Sequence, residues 1–566
     1  MAIIVPTADL IGSGDQITIS TTPALVSGGG IYVMEDIDIV STNGSGIFDS
    51  NVSVYSMQID GSVVGRQYGI SLNSTSGTAA FYSLVIGETG AVRGFDYGEA
   101  IYLAAGLLAG SRVTIDNAGE LSSTSDRTLR LYQFETVDFN NSGSIRSNDI
   151  FTGTASAVDI EASQDIRANN TGLITNAGNS TGSTTPINIA VVAAFSVRAS
   201  AVGSTALIQN HGTIAGEYAV YSDAEDTHLV NTGLLSGHVY FYQGSTATTL
   251  LENIGGTITG DVTLGITSGA LRNSGVIDGA VDLGDGDDTF DNRGGTISGS
   301  VTGGLGNDTF IIDSQAVPIV ENADEGIDEV QSLVNHTLGA NFENLTLLGA
   351  EHIDGKGNGL ANTITGSSGN NDLRGYEEND TIDGAAGDDA IYGGEGNDSL
   401  SGGNGNDSLF GGDGHDVLAG GSGDDTLMGK AGNDTLKGWK GDDVLFGGDG
   451  DDSLVGSFGN DTIYGGTGKD TLAGGDGDDL LTGGLQADQF IFADGFGDDT
   501  IIDFAATWNA EKIDLSGVAA IISFADLSTN HMAQVGSDVV IDDLAGNTIT
   551  LENVNLDDLG TNDFVF

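Results

Sequence analysis

The 566-residue chain contains no cysteine, four prolines, and 17 Lys+Arg against 81 Asp+Glu. Each scarcity excludes something. Without cysteine there is no disulfide and no thiolate metal site. A net charge of −64 repels phosphate backbones and anionic lipid, which argues against nucleic acid and membrane-surface partners. The longest apolar run, residues 187–197, is eleven long and includes Asn188 and Ser196, too short to span a bilayer. The first basic residue is Arg66, so no secretory signal peptide with a basic leading region is expected. The seven histidines form no cluster in the sequence and no His-Glu-x-x-His, the helical zinc-protease signature. What is abundant is glycine, 90 residues, and carboxylate. Clustered carboxylate oxygens suit Ca²⁺, and a 39% hydrophobic fraction still builds a core, so a disordered acidic polymer is not expected.

Residues 366–491 divide into fourteen consecutive nonapeptides without insertion. Position 1 is Gly in all fourteen, and position 4 is Gly in twelve, with Glu378 and Gln486 as the exceptions. Position 6 is Asp in thirteen, with Asn371 in the first unit; position 8 is always large and apolar, from Leu373 to Phe490. Glycines at positions 1, 2 and 4 permit a tight turn with positive φ. The last three residues then form a short strand with one inward apolar side chain. Two nonapeptides make one turn of a flattened parallel roll. Units two apart share an edge, so Asp389, Asp407, Asp425, Asp443, Asp461 and Asp479 line one edge, and Asp398, Asp416, Asp434, Asp452, Asp470 and Asp488 the other. The array carries 26 acidic and five basic residues, and carboxylates stacked at strand spacing repel unless cations intervene.

This array resembles the RTX family of hemolysin-type calcium-binding nonapeptide repeats, whose pattern is G-G-x-G-x-D-x-U-x. The resemblance implies Ca²⁺ between stacked turns, up to about twelve ions in the array, held by the position-6 carboxylates, Asp380 included, and by turn carbonyls. The glycines so implied are Gly394, Gly396, Gly403, Gly405, Gly412, Gly414, Gly421, Gly423, Gly448, Gly450, Gly466, Gly468, Gly475 and Gly477. Isolated units of the same type end at Asp288 and Asp308, which join the implied ligands.

Upstream there is a second period. Asn210, Asn231, Asn253, Asn273 and Asn292 open Asn-x-Gly segments followed by Ile or Leu, at spacings of 21, 22, 20 and 19, with weaker copies at Asn117 and Asn141. Asn-x-Gly is turn chemistry, and a period near 20 with short strands predicts a parallel β-helix. These asparagines read as turn residues that satisfy local backbone. The segments are similar to the passengers of bacterial surface adhesins. The expected organisation is all-β: a parallel β-helix over residues 1–312, its first 110 or so residues irregular or cap-like; a bridging β segment over 313–365; the β-roll over 366–491; and a small β-rich C-terminal cap over 492–566. That last segment is similar to the terminal regions of RTX proteins exported by type I secretion.

No catalytic constellation emerges. Gly178, Ser180 and Gly182 spell G-x-S-x-G, but in a Gly/Ser/Thr-rich stretch without the strand–elbow–helix context that motif requires. Alginate epimerases also join a β-helix to RTX modules, but their Asp-Pro-His motif is missing. Trp439 and Phe458 replace turn residues and are expected to pack against a neighbouring element, while His415 is expected to be solvated. Scarce Lys and Arg, absent cysteine, a low pI and the nonapeptide repeats resemble the surface-layer proteins of some Gram-negative bacteria, and the resemblance implies a non-enzymatic, secreted, calcium-binding structural protein of the bacterial cell surface. That means a surface-layer, filament or matrix subunit that self-assembles, with cell-surface polysaccharide as a further partner. The alternatives are a Ca²⁺-dependent adhesin for glycans or a host surface, and a polysaccharide-acting β-helix enzyme.

Overall fold

In the computed structural model the described residues are 248–506 and 511–566. Before them come the strands and turns outside residues 106–109, 124–126, 148–155, 177–192, 200–203 and 243–247, and ahead of residue 99 the strands with a few residues beside them. The G-x-S-x-G segment and most of the longest apolar run lie outside the described residues. The chain forms two compact units: residues 1–311 with 316–320, and residues 312–315 with 321–566.

The first unit is a parallel β-helix with three strands per coil. Its strands form because apolar and polar residues alternate. In Arg112–Asn117 the side chains of Val113, Ile115 and Asn117 point inward, and Arg112, Thr114 and Asp116 point out. This strand pairs residue for residue with Phe81–Ile86 before it and with residues 136–141 after it. The second strands, Ala91–Gly94, Glu120–Ser123 and Ser144–Ser147, stack in the same way. The third column stacks Ile101–Ala104 on residues 129–132. The first 110 or so residues were expected to be irregular or cap-like; paired strands are present there too. Strands Ile3–Ile4, Gly30–Val33 and Val54–Ile59 pair in parallel one coil apart, as do Leu10–Gly12 with Asp38–Ser41 and Ile17–Thr18 with Ile47–Asp49. The early coils escape notice because Ile59 and Ile86 stand in register where Asn117 and its successors stand later.

Those successors form a ladder. The Nδ2 of Asn117, Asn141, Asn170, Asn210, Asn231, Asn253 and Asn273 each donates to the Oδ1 of the next asparagine, ending at Asn292, over 2.7–2.8 Å. All are buried. The side-chain amide supplies one donor and one acceptor along the stacking axis, so the ladder holds its 4.8 Å repeat (roughly,) whatever the coil length. The steps span 24, 29, 40, 21, 22, 20 and 19 residues, because insertions pass into the loops.

In the second unit the coil shortens to two strands. Residues 329–365 already stack in the parallel register: Glu329–Ser332 on Asn344–Leu347, then Thr363–Thr365, then Thr381–Asp383. The nine-residue turn begins at Gly357, one unit ahead of the array counted from the sequence, with Asn362 in the aspartate position. Through the array each strand pairs with the one 18 residues on, Leu373 opposite Ile391 on one sheet and Leu400 opposite Leu418 on the other. The core is a single file of position-8 side chains from each sheet, all but fully buried from Leu373 to Phe490. The stack ends in an antiparallel hairpin, Met532–Val535 with Asp538–Asp542, which pairs onward with Thr548–Leu551. The helical turns Phe524–Asp526, Leu527–His531 and Leu556–Asp558 accompany it. No helix among the described residues is long and apolar enough to cross a membrane.

Candidate metal centre

Each array turn is set by its glycines. Gly394 and Gly396 sit at φ +130° and +132°, where a side chain is strained. A Cβ on Gly396 would also overlap the backbone carbonyl of Glu378 one turn before. Tyr376, Lys430, Trp439 and Ser457 take the same turn at φ 93°, 81°, 80° and 94°, so the stack imposes the conformation even where the residue resists it.

The turn directs the position-6 aspartate inward. From Asp380, the backbone N–H donates to Oδ1 of Asp398, and the pattern repeats through Asp416, Asp434, Asp452, Asp470 and Asp488 at 2.8–2.9 Å. On the other edge it runs from Asp389 through Asp407, Asp425, Asp443 and Asp461 to Asp479. Oδ1 is thereby satisfied. Oδ2 is not: in all thirteen array aspartates it is buried without a hydrogen-bond partner, and every one of these residues is at most 3% exposed. An orphaned buried carboxylate oxygen is costly, and its regular recurrence marks the two columns as a candidate cation site.

The space beside Oδ2 fits one. A Cβ built on Gly465 would lie 2.6 Å from Asp470 Oδ2 and 2.5 Å from the carbonyl oxygen of Gly483. On Gly384 it would lie 2.5 Å from Asp389 Oδ2 and 2.7 Å from the Gly402 carbonyl. The glycine thus leaves open a cradle lined by a carboxylate of one turn and a carbonyl of the next on the same edge. An all-oxygen donor set of this kind suits a hard cation such as Ca²⁺ and not a thiophilic metal. The donors expected from the sequence were the aspartates and the carbonyls at positions 2 and 4; the structure adds the position-1 glycine.

Burial controls the electrostatics. It pushes the carboxyls of Asp389, Asp425 and Asp470 up to about 7, and those of Asp398, Asp407 and Asp443 up to about 6, although a backbone N–H pulls each one down. Like charges one strand spacing apart repel by roughly 3 kcal/mol at an effective dielectric of 20. One buried Leu contributes about 1.5–3 kcal/mol. Bare carboxylate columns therefore cancel about as much as the thin core supplies, and a divalent ion reverses the balance.

The ladder is longer than the array. Asp479 donates to Oδ1 of Asp499, whose own Oδ2 is buried and unpartnered and whose carboxyl burial raises to about 8. Sequence reading passed over Asp499 because the step is 20 residues, not 18. At the other end Asn362 and Asn371 donate to Asp380 and Asp389, so neutral amides start both columns. In the first unit Gly269 donates to Asp288 Oδ1 at 2.5 Å, and Asp288 to Asp308 Oδ1 at 2.7 Å. Burial raises the Asp288 carboxyl to about 8. Outside the columns, position-5 side chains tie successive turns: Asn397 accepts from His415 N–H, and His415 Nδ1 accepts from Asn433 N–H at 2.8 Å. The expectation that Trp439 and Phe458 are packed is corrected: they are 44% and 52% exposed, with Lys437 Nζ 3.4 Å from the Trp439 ring centroid.

The family model of the RTX calcium-binding nonapeptide repeat (4 copies) matches residues 356–391, 385–418, 392–427, 419–454 and 455–490. This stretch is therefore composed of RTX calcium-binding repeats, in a chain that is otherwise all-β. No curated protein sequence matches the chain. Among solved structures, it is similar to the extracellular lipase LipA from Serratia marcescens at 19% identity, over 37% of this chain and 41% of that one, with a TM-score of 0.18. A likeness this low carries no argument about fold or activity.

Proposed function

We propose that this is a secreted structural protein of the bacterial cell surface, a layer, filament or matrix subunit that Ca²⁺ folds and assembles, and not an enzyme. The observation that carries the calcium reading is the pair of aspartate columns, in which each Oδ2 is buried without a partner beside an open glycine cradle. In this reading the ions lie between turns two units apart, up to about twelve in the array, with Asp380 through Asp488 as ligands and the turn carbonyls completing them. Asp288 and Asp308 serve the first unit in the same way. When bound, Ca²⁺ supplies the positive charge that lets the columns close; the chain supplies the spacing, the dry surroundings and the oxygens.

The structural role rests on architecture. Stacked coils give a rigid body whose stability sums over neighbouring repeats, and exposed Trp439 and Phe458 offer contacts to other copies. Export follows the same chemistry. Repeats of this type are carried by proteins that leave the cell through type I channels, and a chain folded by extracellular Ca²⁺ stays threadable in the Ca²⁺-poor cytosol. Negative-stain imaging of the full-length protein with and without millimolar Ca²⁺ tests assembly. Ordered sheets or filaments in Ca²⁺ and dispersed particles in chelator are expected. Dispersed, well-folded monomers in Ca²⁺ at every concentration would exclude the lattice role.

A further inference from the structure

The cations of this chain are unevenly placed. Seven of the 17 Lys+Arg lie between Arg93 and Arg198, in the coils of the first unit. On the outer face of these coils lies a groove of about 440 Å³, crossed by strands Arg112–Asn117, Arg127–Asn141, Ser156–Asn170 and Thr205–Asn210. The outward columns are in strict register. Thr114, Asp138, Arg167 and Leu207 form one, and Asp116, Asn140, Asn169 and Gln209 form the next.

Most polar groups here are committed to one another. Arg112 pairs with Asp138, and Asn140 Nδ2 donates to Asp116 at 2.7 Å. Thr205 donates to Asp165 at 2.8 Å beside them. Among the described residues, two groups here have an uncommitted atom. Arg167 is exposed and makes no ion pair among the described residues. Asn169 Oδ1 is buried and accepts no hydrogen bond. The exposed guanidinium on a concave floor is the group open to an anionic ligand.

We propose that this groove binds an acidic oligosaccharide, with Arg167 receiving a sugar carboxylate and Asn140 and Gln209 the ring hydroxyls. The class follows from the side chains. Guanidinium matches carboxylate bidentately, and side-chain amides offer the paired donor and acceptor that vicinal hydroxyls require. Leu207 gives an apolar patch for the face of a sugar ring. A peptide is disfavoured: every strand in the groove is paired on both sides, and among the described residues there is no open edge for an added strand and no deep apolar pocket here for an anchor. The groove crosses four stacked strands, roughly 14 Å, so a ligand that fills it is longer than one sugar. This site is independent of calcium-driven assembly.

The test is isothermal titration of the full-length, Ca²⁺-loaded protein with tetragalacturonate and, separately, with the neutral maltotetraose, in buffer of physiological salt. Tetragalacturonate is expected to bind at least tenfold more tightly than maltotetraose. Arg167→Ala is expected to weaken it at least tenfold without moving the melting temperature, since Arg167 is exposed and unpaired. Arg93→Ala, whose partner Glu120 lies outside the groove, is expected to bind like the wild type. Absence of tetragalacturonate binding overturns the proposal, as does equal affinity for the neutral sugar. Affinity unchanged in Arg167→Ala also overturns it, because uronate bridged through Ca²⁺ to the aspartate columns would survive that substitution.

Discussion

Gly465→Ala probes the ion cradle directly. Gly465 does not occupy the left-handed region, so alanine is torsionally allowed there. The added Cβ would lie inside the cradle, 2.5 Å from the Gly483 carbonyl oxygen, 2.6 Å from Asp470 Oδ2 and 2.9 Å from Asp470 Cβ, so part of its cost is steric and remains in chelator. Neighbouring Gly466, at φ +118° and with a backbone carbonyl in the way, is the control, since alanine there is strained with or without an ion. If the cradle holds a Ca²⁺ of extracellular-type affinity, roughly 10⁻⁴–10⁻³ M, then at about 10 mM Ca²⁺ that ion stabilises the native state by about 1.4–2.7 kcal/mol. Gly465→Ala should therefore lose about that much more in Ca²⁺ than in chelator, and bind fewer ions by calorimetric titration. In chelator its loss should be smaller than that of Gly466→Ala, which is destabilised in both conditions. Denaturant unfolding followed by circular dichroism, with and without Ca²⁺, measures all four values. Unchanged stoichiometry and unchanged stability of Gly465→Ala in Ca²⁺ would show that the ion sits elsewhere and that the cradle argument is wrong.

The aspartate columns also set a pH dependence in chelator. Their folded carboxyls lie near 6–7, above the ordinary value near 4, so the ion-free roll is most stable below about pH 4 and loses stability as pH rises from there through about 7; a melting temperature that rises with pH over that range would contradict the burial argument. Asn231→Ala strands a donor on Asn210 and an acceptor on Asn253, and should cost about 2–4 kcal/mol, read by urea unfolding; a loss under about 0.5 kcal/mol would mean the ladder is ornamental. Ser457→Gly relieves a non-glycine residue at φ 94° and should raise stability in saturating Ca²⁺ by about 1 kcal/mol; a lower melting temperature would show that the serine makes a compensating contact. Removing residues 507–566 should trap the protein inside the cell, whereas removing residues 1–20 should not; recovery of the first truncation from the medium of intact cells, by fractionation and immunoblotting, would exclude C-terminal export.

The nine-residue period by itself determined the roll: glycine at fixed positions dictates the turn, one apolar residue per unit dictates a thin core, and one aspartate per unit dictates two columns of carboxylate. All of this is local, repeated chemistry, so a single chain displays it fourteen times over. The Asn-x-Gly segments likewise announced the β-helix, and their asparagines proved to be more than turn residues, because only stacking reveals that each amide meets the next. The tertiary structure alone decided what local pattern does not encode. Asp499 joins its column across a step lengthened by two residues, and Asn362 starts the other column from a unit with no aspartate. The earliest coils are regular although Ile59 and Ile86 replace the marker asparagine. The groove joins residues 114, 138, 167 and 207, whose separations follow loop insertions and no period at all. Parallel stacking fixes register through backbone hydrogen bonds at one spacing, whatever the intervening length, so residues far apart and unevenly spaced in the chain become neighbours on one face.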